Sequence, residues 1–159
     1  METRTQNPLV IIGLDGGSWN ILKPWMDEGK LPNLKTGISN GVSADLISTI
    51  PPITGVALPS FFTGMNPGNT GIFSFVNPDG SLLNYRNIKH PAIWDYLGSV
   101  GIKSCVVGLR LTYPPKKING IMLSGGLLRT EREDFIEPPE LIPIARNYHP
   151  REETYPVLY

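Results

Sequence analysis

The stretch Leu9-Val10-Ile11-Ile12-Gly13-Leu14-Asp15-Gly16-Gly17 indicates the fold class of this chain. Residues 9–14 form an almost continuous apolar run rich in Val and Ile, which is typical of a strand buried on both faces of a parallel sheet. Asp15 follows the run directly, and the two glycines after it let the backbone turn away or approach a ligand closely. The stretch therefore predicts a buried strand that ends on a carboxylate.

Helical and strand-like patterns alternate along the rest of the sequence. Apolar residues at helical spacing predict helices over residues 19–28, 31–40, 54–63, 91–100 and 140–147. Further strands are predicted over residues 42–49, 104–109 and 121–124. We therefore expect an α/β fold with a largely parallel central sheet flanked by helices, in which ligands gather beyond the carboxyl ends of the strands.

The composition of the 159 residues fits one ordinary globular domain, with 40% hydrophobic and 18% charged residues. Fourteen basic residues balance fourteen acidic ones, so no excess of charge points to nucleic acid or to an anionic membrane as a partner. No apolar stretch reaches the length of a membrane span, and we expect a cytoplasmic protein. The single cysteine and the three tryptophans are predicted to lie in the core: Cys105, Trp19, Trp25 and Trp94.

Asp15 has two interpretations. A carboxylate at the end of a strand can bind a metal ion, whereas an Asp-Gly pair also commonly forms an Asx turn or caps the following helix. Taken alone, the residue favours the cap. The glycines do not spell G-x-G-x-x-G and the chain has no Walker A lysine, so those two nucleotide-binding loops are excluded.

Thr54 follows Pro51-Pro52-Ile53 and opens a predicted helix. The N–H groups and the dipole at a helix N-terminus favour an anion beside its hydroxyl. A threonine hydroxyl needs a base or a metal before it can attack as an alkoxide. The residue is also a good helix cap, and the roles of cap and nucleophile are compatible.

The remaining candidates carry less weight. His90 and His149 each precede a proline and are expected to be surface or capping residues. Arg110, directly after a predicted strand, is a candidate for binding an anion and equally for a structural salt bridge. The loop over residues 113–117 carries a tyrosine and two lysines, and it either contacts substrate or forms a solvated turn.

A series of motifs, in this order and spacing, resembles the amino-terminal part of the type I phosphodiesterase/nucleotide pyrophosphatase family, within the alkaline phosphatase superfamily. The series comprises Gly13-Leu14-Asp15-Gly16, Leu31-Pro32-Asn33-Leu34, Ser48-Thr49-Ile50-Pro51-Pro52-Ile53-Thr54, residues 60–68 and Gly71-Ile72-Phe73. Residues 93–97, 112–115 and 119–125 continue it. Nothing after Ser124 is similar to the family's remaining aspartate and histidine ligands.

The resemblance implies a phosphatase-like α/β sandwich with two divalent metal ions, usually zinc, and a phosphoester small molecule as substrate. Asp15 matches the family's first metal-binding aspartate, and Thr54 matches its nucleophile, which is also a metal ligand. In that mechanism Thr54 attacks phosphorus in line, and the phosphothreonine is then hydrolysed. Residues 1–159 would be the amino-terminal portion of one such domain, with 151–159 a frayed tail. A carboxyl-terminal portion or an oligomeric partner would complete the site.

Three departures from the family pattern bear on activity. Ala57 stands where active members carry asparagine, Thr70 replaces the histidine of His-Gly-Ile, and Gly55 replaces the proline that follows the nucleophile in close relatives. The alternative is a non-catalytic relative that binds a phosphorylated ligand or a protein partner. A third interpretation is a sulfatase-like or phosphoglycerate mutase-like member, although a sulfatase would carry Cys or Ser in place of Thr54.

Overall fold

The computed structural model describes residues 8–125 and 134–146. The chain divides into two compact units, Met1–Ile47 and Ser48–Tyr159. Three predictions lie outside the described residues: the frayed tail over residues 151–159, the role of His149, and the last position of the helix predicted over residues 140–147.

The first unit contains two helices, both of which the sequence predicts. Helix α1 spans Trp19–Asp27, and the Ser18 hydroxyl caps it by accepting a hydrogen bond from the Asn20 N–H at 3.3 Å. Helix α2 spans Pro32–Ser39 and begins with a proline, which lacks an N–H at a position where the helix could not use one. Both predicted helices are therefore confirmed.

The two strands predicted over residues 9–14 and 42–49 are wrong. Neither segment forms a ladder with a described strand, and their apolar side chains are exposed. Val42 is 99% exposed, and Leu9 80%. An apolar run supplies side chains for burial, but a strand also needs a neighbouring backbone to complete its hydrogen bonds. Among the described residues, neither segment has such a neighbour.

The second unit carries the remaining helices. Helix α3 spans Thr54–Thr63, as predicted, and ends at Gly64 in a left-handed conformation. A single helical turn, α4, spans Pro67–Thr70, and α5 spans Ile93–Ser99 within the helix predicted over residues 91–100. Within residues 134–146, the short helix α6 spans Ile142–Ala145. None of the helices in the described ranges is long and apolar enough to cross a bilayer.

The described residues form a three-stranded sheet of order β1-β2-β3. Strands β1 (Ser104–Arg110) and β2 (Gly120–Gly125) lie at the two predicted positions and pair in parallel. Strand β3 (Ile136–Glu137) pairs with β2 in the antiparallel direction. The fold is therefore mixed α/β with a small mixed sheet, and the largely parallel sheet that the sequence predicts is not confirmed.

The main core of the second unit joins α3, α5 and β2. Phe62, Trp94 and Met122 from these elements pack together with Tyr85 and Ala92. The ring centroids of Phe62 and Trp94 lie 5.1 Å apart, within the usual range for a stabilising aromatic pair. This cluster packs the carboxyl-terminal half of α3 against the sheet of the same unit.

Two residues predicted to be buried lie on the surface. Cys105 is exposed because burial alternates along β1 and this position falls on its open side. Trp25 is 46% exposed. Trp19 is half-buried and carries the Lys23 ammonium over its ring at 5.5 Å from the centroid. The core prediction is confirmed for Trp94.

Candidate functional site

Thr54 is the first residue of α3 and is partly exposed. Ile53 rather than Thr54 occupies the cap position, and Ile53 makes no side-chain capping hydrogen bond. The first N–H groups of a helix have no partner within the helix and carry the positive end of its dipole. Thr54 therefore lies in the first turn of α3, where the backbone N–H groups and the helix dipole stabilise negative charge.

A compact loop holds Thr54 from its N-terminal side. The Thr49 hydroxyl donates to the Pro51 carbonyl at 3.0 Å, and the Ile53 N–H donates to the same carbonyl at 3.0 Å. Two successive prolines, Pro51 and Pro52, fix their own φ angles within this loop. Residues 49–53 thus form a restrained loop on the N-terminal side of Thr54.

Asp15 lies in the first unit, on the turn that follows the apolar run. The Gly17 N–H donates to the Leu14 carbonyl at 3.1 Å, and Gly16 adopts a φ of 72°, which this kind of turn requires. Because Ser18 caps the next helix, the helix-cap interpretation of Asp15 is wrong. That outcome removes one structural alternative to the metal-ligand role, which stays a prediction.

Two of the positions that depart from the family pattern have structural roles. Thr70 is buried, and its hydroxyl donates to the Pro67 carbonyl at 3.3 Å and accepts from the Ile72 N–H at 3.4 Å. Thr70 therefore closes the helical turn α4. Gly55 is buried in the first turn of α3, where the ring of Phe75 covers it.

The described residues include no group of three or more His, Cys, Asp and Glu side chains that could hold a metal ion. His90 Nε2 lies 2.9 Å from the Asn69 carbonyl oxygen, which agrees with the structural role predicted for it. Arg110 is exposed at the end of β1 and forms no ion pair with a described residue. The candidate metal ligands within the described ranges are therefore Asp15, in the first unit, and Thr54, in the second.

A polar cluster around Tyr85 is the main feature that the sequence did not reveal. Trp94 Nε1 donates to the Tyr85 hydroxyl at 3.0 Å, and the Lys116 ammonium lies 5.5 Å from the Tyr85 ring centroid. Lys116 also pairs with Asp95 at 2.7 Å. These residues come from three separate segments, so no local sequence signal could have joined them.

The surroundings of this cluster shift two pKa values in the same direction. Burial raises the pKa of the Tyr85 hydroxyl, although the hydrogen bond from Trp94 and the charge of Lys116 act against it. Desolvation lowers the pKa of Lys116, but its hydrogen bond to Asp95 and its contact with Tyr85 outweigh that effect, so the net pKa is raised. Both groups therefore hold their protons firmly at neutral pH.

An open cleft of about 550 Å³ lies beside the same cluster. Three cationic side chains line it, Arg86, Lys89 and Lys116, together with one carboxylate, Asp95. Thr54 does not line this cleft. The cleft is therefore a separate, mainly positive surface of the second unit.

The sequence profile described as "Type I phosphodiesterase / nucleotide pyrophosphatase" matches residues 9–150, a range that includes Asp15 and Thr54. The chain belongs to the type I phosphodiesterase/nucleotide pyrophosphatase family. Searches of curated proteins and of solved structures found no match to this chain. Membership supports a hydrolase activity, and the family is generally metal-dependent.

Proposed function

We propose that this chain supplies the nucleophile-bearing portion of a metal-dependent hydrolase for phosphodiester or nucleotide pyrophosphate bonds. Thr54 is the nucleophile in this proposal, and Asp15 and Thr54 are metal ligands. Family membership over residues 9–150 supports the activity. The observation that carries the choice of Thr54 is its position as the partly exposed first residue of α3, behind the restrained loop over residues 49–53.

In the proposed reaction, the Thr54 oxygen forms a bond to phosphorus while the bond from phosphorus to the leaving oxygen breaks in line. The hydroxyl proton goes to a base or to solvent, and the leaving alcohol keeps the electron pair of the broken bond. Water then attacks the phosphothreonine, which releases a phosphate monoester and restores the hydroxyl. The N-terminal dipole of α3 favours the negative charge that develops on phosphoryl oxygens.

The described candidate ligands are of a type that binds a divalent cation, but they are too few to complete a metal site. The Asp15 carboxylate and the Thr54 hydroxyl are oxygen donors, whereas a protein-bound zinc ion has about four ligands. Asp15 and Thr54 would contribute ligands to two divalent ions, zinc by preference, and the ions would favour loss of the proton from the Thr54 hydroxyl. We therefore propose that a carboxyl-terminal portion or an oligomeric partner supplies further ligands. A cytoplasmic location is part of the same proposal.

Thr54→Ala in the full-length protein tests the assignment. With zinc present, hydrolysis of bis(p-nitrophenyl) phosphate should fall at least about 10³-fold, because the attacking oxygen is gone. The thermal midpoint should stay within about 4 °C of wild type, since the residue is partly exposed and does not occupy the cap position of α3. Thr36→Ala, on the exposed face of α2, is the matched control and should keep wild-type turnover. Wild-type turnover by Thr54→Ala would remove Thr54 from the mechanism.

Metal dependence separates the enzyme from a non-catalytic relative. Treatment with a chelator should abolish hydrolysis, and added zinc should restore it, because the hydroxyl depends on the metal for activation. A full-length protein that binds phosphonates but hydrolyses no diester at any zinc concentration would support the non-catalytic relative instead.

A further inference from the structure

The cleft beside Tyr85 is lined by more positive than negative charge. Its lining includes three cationic side chains, Arg86, Lys89 and Lys116, whereas Asp95 is the one carboxylate among the lining residues. At neutral pH these side chains leave an excess of two positive charges. The volume of about 550 Å³ is in the usual range for pockets that bind small molecules. The cleft therefore has the size and the charge to receive a small anion with two or more negative charges.

The Asp95 carboxylate already has partners within the protein. Its Oδ1 pairs with the Lys116 ammonium at 2.7 Å, and its Oδ2 accepts a hydrogen bond from the Ala92 N–H at 2.9 Å. Arg86 and Lys89 are exposed and form no ion pair within the described ranges. The charges of Arg86 and Lys89 are therefore available to a ligand from solution.

Lys116 is held in place and still has capacity to bind a ligand. Its ammonium is fixed by Asp95 and lies 5.5 Å from the centroid of the Tyr85 ring. The side chain remains 44% exposed, and an ammonium group has three N–H donors, so it can bind a ligand without releasing Asp95. The Tyr85 N–H also donates to the Tyr113 carbonyl at 2.7 Å, which joins the segment of Arg86 to that of Lys116. A side chain restrained in this way loses less conformational entropy when a ligand binds.

The backbone that carries Arg86 is restrained as well. It follows directly on a small antiparallel hairpin over residues 75–83. The 3₁₀ turn Tyr85–Asn87 begins with a reciprocal pair of hydrogen bonds. The Asn84 side chain accepts from the Arg86 N–H, and the Asn87 side chain accepts from the Asn84 N–H, both at 2.9 Å. This wall of the cleft is therefore formed before any ligand arrives.

We propose that this cleft is a binding site for a phosphorylated small molecule with two or more negative charges, held by Arg86, Lys89 and Lys116. A guanidinium group can bind two phosphoryl oxygens at once, and lysine ammonium groups bind phosphate as point charges. Thr54 does not line the cleft, so the site is additional to the proposed catalytic one and does not depend on it.

Isothermal titration calorimetry on the metal-free full-length protein tests this site. Inorganic pyrophosphate is the probe for a free anion, fructose 1,6-bisphosphate is the probe for a phosphorylated organic molecule, and fructose is the uncharged control. In about 50 mM NaCl, wild type should bind one molecule of either anion with a dissociation constant below about 1 mM, and it should not bind fructose. Tighter binding of pyrophosphate identifies a free anion as the ligand, and tighter binding of the bisphosphate identifies an organic one.

Two double variants make the comparison specific. Arg86→Gln combined with Lys89→Gln should weaken binding at least about tenfold, because two charged donors to phosphate are lost. Lys103→Gln combined with Lys117→Gln is the matched control, since it removes the same charge from exposed residues that do not line the cleft. It should stay within about threefold of wild type, as should Thr54→Ala. Circular dichroism spectra confirm that each variant is folded.

Three results would overturn the site in the cleft. They are no binding of either anion at about 10 mM, equal weakening by the two double variants, and loss of binding in Thr54→Ala with none in the Arg86 and Lys89 variant. Binding that depends on Arg86 and Lys89, in a protein that hydrolyses no phosphodiester, supports the site and rejects the proposed catalysis. Hydrolysis that depends on Thr54, in a protein that binds neither anion without metal, does the reverse.

Discussion

Tyr85 is a buried residue whose hydroxyl accepts a hydrogen bond from another buried residue, Trp94. Trp94 Nε1 donates to it at 3.0 Å, and both residues belong to the main core. Tyr85→Phe keeps the ring but leaves the indole N–H without an acceptor. We expect this change to lower the free energy of unfolding at pH 7 by about 1–3 kcal/mol, measured by urea denaturation. Tyr96→Phe, at a residue that is 52% exposed, is the control and should stay close to wild type.

Tyr85 also makes the free energy of unfolding depend on pH in the alkaline range. The folded protein holds the Tyr85 proton to a higher pH than the unfolded chain does, because burial raises its pKa above the ordinary value of 10.0. The net rise in the pKa of Lys116 acts in the same direction. Stability is therefore full below about pH 10 and falls as the pH rises above that value. Urea denaturation at pH 8 and pH 10.5 should show a smaller fall for Tyr85→Phe than for wild type. An equal fall would contradict the assigned cause.

The sequence could identify Thr54 as a candidate because the proline-rich segment and the start of a helix are both local features. It could not decide what Asp15 does, since Asp and Ser are both good caps and three residues separate Asp15 from Ser18. The structure assigns the cap to Ser18. The contact of Phe75 with Gly55 was beyond sequence reasoning, because twenty residues separate them in the chain.

At the scale of elements, the parallel pair β1 and β2 depends on one glycine where β2 begins. Gly120 has a φ of 144°, and a Cβ there would lie 1.8 Å from the Ser104 carbonyl oxygen. Gly120→Ala therefore introduces both a strained backbone angle and a clash with the neighbouring strand. We expect the free energy of unfolding to fall by at least about 2 kcal/mol, measured by urea denaturation.

Gly37→Ala is the matched control for that change. Gly37 lies inside α2, and nothing lies within 4 Å of a Cβ atom at this position. Alanine there should stabilise the helix by about 0.5–1 kcal/mol, because it restricts the unfolded chain and favours the helical backbone. Equal effects of the two substitutions would mean that the close approach of Gly120 to Ser104 does not exclude a side chain at position 120.

The elements differ in how far the sequence could predict them. Helices α1, α2 and α3 were predictable because their hydrogen bonds join residues that are close in sequence. Strands β1 and β2 were predictable as well, since each has a partner in the same unit. The segments 9–14 and 42–49 carry equally strong apolar patterns, yet neither pairs with a described strand. An apolar pattern shows which side chains could be buried. Whether the segment becomes a strand depends on a neighbouring strand that completes its hydrogen bonds.

At the scale of the whole molecule, exposed apolar side chains are concentrated in those same two segments. Ile12 is 78% exposed and Leu46 87%. Exposed apolar side chains bind hydrophobic dyes. We expect the folded 159-residue chain to increase the fluorescence of Nile red. Ile12→Gln combined with Leu46→Gln should reduce that increase by about a quarter, because they are two of the eight large apolar side chains exposed in these segments.

Lys35→Gln is the control for the dye experiment, because it replaces a polar side chain on the exposed part of α2. It should leave the fluorescence unchanged. Far-UV circular dichroism should be the same for all three proteins, which excludes unfolding as the source of apolar surface. A wild-type chain that gives no dye signal would show that the apolar segments are covered in solution.

The hairpin over residues 75–83 has a consequence for how this protein can diverge. Its hydrogen bonds are internal: Leu83 to Phe75, Asn77 to Ser81, and Ser81 to Asp79 at 2.9 Å. Insertions or exchanges at its tip therefore leave the packing of α3 unaltered. The tip of the hairpin can therefore change in length or sequence while Phe75 keeps its contact with Gly55 in α3. The loop and the helix can thus diverge at different rates during evolution.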